Sequence, residues 1–129
     1  MKKQTENVVL LGASDRKERA SHKAFHLLRE YGNIPIPINS KPLRFLNCRS
    51  YLSLKDFMEH NKTMEVHTLG LYVNEKISSS LTNEIIELNP KRIIFNPGSE
   101  NKKLFEMALK KGIYCEEACI LILLKSGQF

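Results

Sequence analysis

The stretch Val8-Val9-Leu10-Leu11-Gly12-Ala13-Ser14 decides the fold of this chain. Its apolar run predicts a buried strand, and the glycine and small residues that follow predict a tight turn. An amphipathic helical pattern comes next and ends at Gly32. In an open parallel sheet this junction lies at the carboxyl edge, where nucleotide-like ligands bind. The N-terminus of a helix favours phosphate there, because its first N–H groups lack partners and carry the positive end of the helix dipole.

Apolar runs alternate with helical patterns along the rest of the chain. Strands are predicted at Asn7–Leu11, Ile34–Ile38, Val66–Val73, Arg92–Phe95 and Ile113–Cys115, and later helices at Ser53–Asn61, Ser79–Leu88, Glu100–Lys111 and Ala118–Lys125. Strands that alternate with helices pair in parallel through right-handed crossovers. The sequence therefore predicts an α/β protein with a Rossmann-like, doubly wound, mostly parallel sheet of roughly five to six strands and helices on both faces. Residues 1–129 are expected to form a single domain.

The second predicted strand contains Pro35 and Pro37, each of which removes a hydrogen-bond donor. Such a pattern is awkward for a central strand. It indicates either that both prolines share one side of the strand or that the strand is short.

The size and composition are those of a globular protein that builds its own core. The chain has 129 residues, of which 42% are hydrophobic and 26% charged. No apolar stretch approaches the roughly 18 residues that a membrane span needs, and the opening residues lead into the first strand without a signal segment. The three cysteines include Cys115 and Cys119, but no second Cys or His pair completes a zinc pattern. We therefore expect a cytoplasmic protein, without a membrane partner, whose thiols are buried and reduced.

The net charge of +6 indicates an affinity for anions. The cations are dispersed, and no block of about five like charges marks a nucleic-acid tail, so no nucleic-acid partner is expected. Most basic residues, Arg92 among them, are expected on solvated faces. The exceptions flank the predicted cleft and are Arg16, Lys17, Arg19 and Lys41.

Two positions discriminate among nucleotide ligands. A dinucleotide site prefers G-x-G-x-x-G, but Ser14 and Lys17 stand at its second and third glycine positions. NAD sites use an acidic residue about 20 residues later to hold the ribose hydroxyls, where this chain has Asn39, Ser40 and Lys41. A neutral amide and a cation suit an adenosine whose ribose carries an extra phosphate. The residues alone leave NADP and coenzyme A as the alternatives.

Several motifs, in this order along the chain, carry a resemblance to a known family. They are Val8–Ser14, Arg19-x-Ser21, Pro37-x-Asn39, Tyr51-x-Ser53-Leu54 and Asn96-Pro97-Gly98-x-x-Asn101, and the most specific part is the string Pro90–Gly98. From about residue 7 to the end, the chain is similar to the small single-domain CoA-binding proteins. These are related to the CoA-binding domain of the succinyl-CoA synthetase α subunit.

The resemblance implies that coenzyme A, or an acyl-CoA, lies across the carboxyl edge of the sheet. The positions that match the family's contacts are Gly12, Ala13, Ser14, Arg19 and Ser21 for the pyrophosphate, Asn39 and Lys41 for the adenosine end, Tyr51 and Ser53 for the flanks of the nucleotide, Tyr72, Val73 and Asn74 for the pantetheine arm, and Asn96, Pro97 and Gly98 for the far wall. Lys41 is the candidate for the ribose phosphate. The chain departs from the family after the second strand, where Asn39-Ser40 replaces the usual Asn-Pro.

Some of these residues also have a purely structural interpretation. Ser21 is a candidate N-cap, and the triplet Asn96-Pro97-Gly98 suits a type II turn. Tyr72 fits an inward-facing strand residue equally well. His22 and His26 lie one helical turn apart and offer a metal pair, but a solvated helix face is the better interpretation.

No nucleophile elbow, Cys–His pair or acid–base pair is recognisable in the chain. In the synthetases that share this domain, catalysis depends on further domains. We therefore expect a non-catalytic carrier, sensor or regulatory module that binds CoA or an acyl-CoA. The alternatives are an NADP-linked oxidoreductase, a detached subunit of an acyl-CoA ligase, and a nucleic-acid binder. The apolar final helix either covers the flank of the sheet or pairs with a second copy in a homodimer.

Overall fold

The computed structural model describes residues 5–45 and 47–129. The opening residues 1–4, with the predicted cations Lys2 and Lys3 and the expectation about a signal segment, lie outside the described residues. The elements are β1 (Asn7–Leu11), α1 (Ala20–Glu30), β2 (Ile34–Ile38), α2 (Leu54–His60), β3 (Thr68–Leu71), α3 (Glu75–Ser80), α4 (Thr82–Leu88), β4 (Arg92–Phe95), α5 (Lys102–Lys110), β5 (Tyr114–Glu117) and α6 (Ile120–Lys125).

The five named strands form one parallel sheet in the order β2-β1-β3-β4-β5. From β1 the chain first moves outward to β2 and then returns to β3 on the other side of β1. The gap between β1 and β3 is therefore the topological switch point, where ligands of open α/β sheets bind. The predicted α/β, Rossmann-like fold is confirmed, and the sheet has five strands within the described residues.

The two faces of the sheet carry separate cores. Val9 and Leu11 pack on one face with residues of α2, α4 and α5, whereas Val8 and Leu10 pack on the other with residues of α1 and α6. Both faces of β1 are therefore buried. This explains why β1 is a continuous apolar run rather than an alternating one.

The prolines of β2 share one side of an edge strand, as one of the two alternatives predicted. The N–H of Ile34 donates to the Glu6 carbonyl at 2.9 Å, on the side of β1. Backbone groups alternate in direction along a strand, so those of Pro35 and Pro37 point to the opposite, outer side. On that outer side the Pro37 carbonyl accepts from the N–H of Tyr51 at 3.0 Å. The missing proline donors therefore cost the sheet no hydrogen bond to β1.

The region after β3 differs from the prediction. The predicted helix over 79–88 is two helices, α3 and α4, which meet at Leu81 with φ −107° and ψ 12°. Asn74 begins α3, because its side chain accepts from the N–H of Ile77 at 2.9 Å. Ser78 is the one buried residue of α3. That helix consequently has no apolar period from which it could be predicted.

The last strand and helix are shifted toward the C-terminus relative to the prediction. β5 continues to Glu117 because the ladder with β4 extends further, with the N–H of Ala118 donating to the Phe95 carbonyl at 3.2 Å. α6 begins at Ile120 and packs its buried residues on the sheet, while Ile122 is 66% exposed. Within the described ranges, no helix has the length and apolar character required to cross a membrane.

The three cysteines are free thiols with different environments. Cys115 is buried, as expected, and this burial raises the pKa of its thiol to about 11. Cys48 and Cys119 are only half-buried, contrary to the expectation for all three. Burial also raises the pKa of the Cys48 thiol.

Gly12 is the residue that allows β1 to end where it does. Its φ is +89°, and a Cβ there would lie 2.6 Å from the Tyr72 carbonyl oxygen and 2.7 Å from Cγ1 of Val73. Its N–H donates to the Ile38 carbonyl at 2.9 Å. Only glycine satisfies both the left-handed conformation and the close approach of the neighbouring chain.

We expect Gly12→Ala to lower the free energy of unfolding by about 2–5 kcal/mol, because left-handed strain adds to a clash with backbone. Gly32→Ala is a matched control, since Gly32 has φ +85° and an added Cβ would meet no atom within 4 Å. It should cost only the strain of about 1–2 kcal/mol. Urea denaturation measures both losses, and equal losses would contradict the steric requirement at Gly12.

Candidate functional site

Two cavities open at the carboxyl edge of the sheet and share Gly12 and Tyr72. The α1 cavity, of about 350 Å³, is completed by Ser14, Arg16, Arg19, Ala20 and Ser21. The α2–α3 cavity, of about 550 Å³, lies on the other side of β1 and is completed by Leu11, Ile38, Asn39, Ser40, Leu52, Ser53, Leu54, Val73, Asn74, Ile77 and Leu81. A ligand that crosses the end of β1 touches both.

The α1 cavity lies at the N-terminus of an eleven-residue helix. Arg19 is the N-cap and its side chain makes no capping hydrogen bond, so the alternative that Ser21 caps the helix is wrong. Ser21 lies within the first turn and is 4% exposed. Among the described residues, neither the N–H groups of Ala20 and Ser21 nor the Ser21 hydroxyl has a hydrogen-bond partner. Donors left open at the positive end of a helix favour an anion.

The turn that leads into α1 adds positive charge to this cavity. Arg16 lies 3.0 Å from the Glu18 carboxylate, and both side chains are largely exposed. Arg19 is exposed and forms no ion pair within the described part of the chain. The Asp15 carboxylate accepts from the N–H of Arg44 at 3.0 Å, which holds the basic loop after β2 against this turn. Arg19 is therefore the guanidinium most available to an anion here.

The first turn itself differs from what the resemblance implied. The N–H groups of Gly12 and Ala13 both donate to the Ile38 carbonyl, at 2.9 and 3.1 Å. These two amides join the end of β1 to β2 and do not point into the α1 cavity as free donors. Ala13 is fully buried and lines neither cavity. Gly12 instead contributes to the site because it has no side chain: its backbone lines both cavities where they meet.

Asn39 shapes the cleft through its side-chain amide. Its Nδ2 donates to the Ala13 carbonyl at 2.7 Å, and its Oδ1 accepts from the N–H of Lys41 at 3.0 Å. The loops after β1 and β2 are thereby tied together. Asn39 and Ser40 line the α2–α3 cavity, whereas the exposed Lys41 lies outside its lining.

The α2–α3 cavity has an apolar floor. Leu11, Ile38 and Leu54 are each at most 5% exposed, and Val73 packs beside them in the same core. Walls of this kind with few polar groups suit a flat heterocycle or another apolar group.

Two helix caps form the polar part of the same cavity. The Ser53 hydroxyl accepts from the N–H of Asp56 at 2.9 Å, which confirms the predicted N-cap of α2. The Oδ1 of Asn74 caps α3 in the same way. Among the described residues the Nδ2 of Asn74 has no partner, so this donor is open to a ligand.

Four further implied site residues line neither cavity. Tyr51 packs edge-on against Phe57, with ring centroids 5.2 Å apart, and its hydroxyl accepts from Asn61 at 3.1 Å. The Asn96-Pro97-Gly98 triplet forms the predicted turn, with Gly98 at φ +90° and the N–H of Ser99 donating to the Asn96 carbonyl at 2.8 Å. It follows β4, one strand further along the edge.

The Asn96 side chain has a structural role within the protein. It is 1% exposed, its Nδ2 donates to the Leu71 carbonyl at 3.1 Å, and its Oδ1 accepts from the N–H of Ile120 at 3.0 Å. The side chain therefore joins β3 to the start of α6, and both of its polar atoms are used. A direct contact with ligand is not available to this amide.

Tyr72 directly follows β3 rather than belonging to it, so the predicted strand residue is a half-buried residue at the end of the strand. Its contact with a ligand stays a prediction. Its N–H donates to the Leu11 carbonyl at 2.9 Å, and its ring packs against the core shared by α1 and α6. It also lines both cavities. Burial, and then the neighbouring Cys119, raise the pKa of the Tyr72 phenol well above its usual range. The cleft therefore contains a neutral hydroxyl at this point.

Several lining residues escaped the sequence analysis. Leu52 and Leu54 flank the predicted Ser53, and this adjacency was the available signal. Ile77 and Leu81 belong to the α3 region, which has no helical period to reveal it.

Two basic or titratable positions are less solvated than expected. Arg92 is 8% exposed, and it donates to the Thr68 hydroxyl at 3.1 Å and to the Phe129 main-chain oxygen at 2.9 Å. His22 is half-buried and stacks on Phe45, with ring centroids 5.5 Å apart.

In the described part of the chain, no three His, Cys, Asp or Glu side chains are placed to hold a metal ion, so the His22–His26 pair has no third ligand of that kind.

A parallel sheet with helices on both faces, open N–H donors at the start of α1 and an apolar cavity at the switch point defines the Rossmann-like α/β class. A family model described as CoA binding domain matches residues 6–125. The chain belongs to this family of CoA-binding domains.

Similar solved structures extend over the whole fold. A crystal structure of an uncharacterized protein is 31% identical, with 98% of this chain and 100% of that chain covered and a TM-score of 0.87. A protein from Thermus thermophilus is 20% identical, with coverages of 97% and 91% and a TM-score of 0.80. A hypothetical protein from Pyrococcus horikoshii OT3 is also 20% identical, with coverages of 95% and 84% and a TM-score of 0.78. No curated protein sequence matches this chain.

Because burial raises the pKa of Tyr72, the free energy of unfolding should fall as the pH rises into the alkaline range. The folded protein holds this proton more tightly than the unfolded chain does, so its contribution is fully present below a pH of about 10 and is lost as the pH rises further. We expect the free energy of unfolding of Tyr72→Phe to fall less steeply above that pH than that of the parent. Thermal melts across the alkaline range test this, and parallel curves would show that Tyr72 is not protected.

Proposed function

We propose that this chain binds coenzyme A or an acyl-CoA across the two cavities, with the diphosphate in the α1 cavity and the adenosine end in the α2–α3 cavity. The observation that carries the proposal is the pairing, on either side of Gly12, of an open helix N-terminus with an apolar cavity. A nucleotide has the same division into charged phosphates and a flat base. Membership in the CoA-binding domain family supports CoA as this nucleotide.

The diphosphate has donors of three kinds in the α1 cavity. The N–H groups of Ala20 and Ser21 belong to the helix terminus, and the hydroxyls of Ser14 and Ser21 lie beside them. Arg19 supplies a guanidinium, whose hydrogen bonds to phosphate are charge-assisted and stronger than neutral ones. These groups replace the Gly12 and Ala13 amides, which are engaged with Ile38.

The adenosine end suits the α2–α3 cavity because its floor is apolar and its polar groups are few. The open Nδ2 of Asn74 is a donor for a ring nitrogen. Lys41 follows Ser40 at the rim, and its exposed ammonium suits a ribose phosphate. The pantetheine arm would leave past Tyr72 toward the turn at residues 96–98.

We infer that the module holds its ligand without altering it. Among the described residues, neither cavity is lined by an Asp, Glu, His, Cys or Lys side chain. The serine hydroxyls there have no base beside them, and the Tyr72 phenol keeps its proton because burial raises its pKa. General acid–base chemistry needs a group that exchanges a proton near neutral pH. A carrier, sensor or regulatory module is the role that fits such a site.

The proposal is tested by thermal shift and calorimetry with CoA, acetyl-CoA, NADP, NAD, ATP and a short DNA duplex. At a ligand concentration 100 times Kd, CoA should stabilise the protein by about 2.7 kcal/mol. NADP and ATP should bind more weakly, and DNA should not bind at moderate salt. Stronger binding of NADP, ATP or DNA than of CoA would overturn the choice of ligand.

Arg19→Ala is expected to weaken CoA binding about tenfold or more, because a hydrogen bond from a charged group contributes about 1.5–3 kcal/mol. Stability should change little, since the Arg19 side chain is exposed. Lys23→Ala is the matched control: it removes the same charge from the next turn of α1, outside the α1 cavity. Equal effects in the two variants would indicate general attraction rather than a contact at Arg19.

A further inference from the structure

We propose that Asn101 is the positioning residue of the α2–α3 cavity: it fixes α3 and thereby sets the affinity of that cavity for the adenosine end of the ligand. The inference rests on the proposed function for its ligand. It concerns a residue that lines neither cavity.

The first observation is that α3 has almost no apolar attachment of its own. Of its six residues only Ser78 is buried, and the apolar Ile77 is 44% exposed where it lines the cavity. A helix of this length has little intrinsic stability and normally depends on packing an apolar face. α3 must be held by other contacts.

The second observation is a buried amide aimed at that helix. Asn101 is 1% exposed, and its Nδ2 donates to the Ser78 hydroxyl at 2.7 Å, to the Ser79 hydroxyl at 3.0 Å and to the Glu75 carbonyl at 3.4 Å. Its Oδ1 accepts from the N–H of Leu104 at 3.1 Å as the N-cap of α5. One side chain thus joins α3 to α5.

The base of this connection is rigid. Leu104 and Ala108 bury α5 in the core, at 1% and 0% exposure. If α3 moved away, the Asn101 amide would be left buried without a partner, which costs about 1–3 kcal/mol. This penalty opposes any widening of the cavity at Ile77.

The effect should be confined to one half of the ligand. α3 and its N-cap Asn74 supply Ile77 and an open amide to the α2–α3 cavity, and neither lines the α1 cavity. Loosening α3 should therefore weaken contacts with adenosine and leave the anion site intact. A loss of overall stability would not make this distinction.

The test variant is Asn101→Ser, because serine keeps an oxygen that caps α5 but removes the amide that reaches α3. We expect the Kd for CoA to rise about tenfold, while the Kd for inorganic pyrophosphate stays unchanged. Without ligand, hydrogen exchange of the amides in residues 75–80 should accelerate by about tenfold. Equal weakening of CoA and pyrophosphate would overturn the positioning role.

Two further variants control for stability. Ile113→Val removes a buried methyl group just before β5 and should cost about 0.5–1.5 kcal/mol without changing CoA affinity. Ser78→Ala removes an acceptor of the Asn101 amide. If the two residues act through this contact, the double variant Asn101→Ser, Ser78→Ala should lose less CoA binding free energy than the sum of the two single losses. Additive effects would show that the two residues act separately.

The outcomes separate this inference from the proposed function. If the parent protein does not bind CoA, the proposed function fails, and the exchange of α3 amides still reports whether Asn101 holds α3. If the parent binds CoA but Asn101→Ser changes neither CoA affinity nor α3 exchange, the inference is overturned and the proposed function stands.

Discussion

The close approach of Gly12 to the Tyr72 backbone and the Val73 side chain is the constraint on which this molecule depends. β1 leaves the sheet between its two neighbours, and there is no room for a side chain at that point. The Ile38 carbonyl closes the other side by accepting from the N–H groups of Gly12 and Ala13. Gly12 and Tyr72 therefore line both the α1 cavity and the α2–α3 cavity, and no side chain of residue 12 stands between the two.

The sequence predicted best what depends on continuous apolar runs. The bounds of β1, β2 and β4 agree with the structure, because each run is followed directly by Gly or Asn. α3 was missed because its one buried residue is a serine. The role of the Gly12 amide was also beyond prediction, since its acceptor, Ile38, belongs to the next strand and is brought there by the crossover.

The sequence predicted where the candidate site lies, but it did not predict the hydrogen bonds that its asparagine side chains make. Asn39 joins two loops, Asn74 caps α3, Asn96 joins β3 to α6, and Asn101 joins α3 to α5. An Asn side chain carries both a donor and an acceptor, so it can serve the backbone on two sides at once. A motif with asparagine at strand ends therefore predicts the place of a cleft better than it predicts the atoms that touch a ligand. Ser21 and Arg19, which have no such second task among the described contacts, remain the most direct candidates.

The prolines of β2 have a consequence beyond the hydrogen-bond ladder. An edge strand with a free row of N–H groups invites another chain to add to the sheet, which is a route to aggregation. Pro35 and Pro37 remove those donors on the outer side, and Tyr51 occupies the Pro37 carbonyl. The border of the sheet nearest the Asn39–Ser40 rim therefore offers an added strand no N–H at either proline, which disfavours extension of the sheet beside the entrance to the cleft.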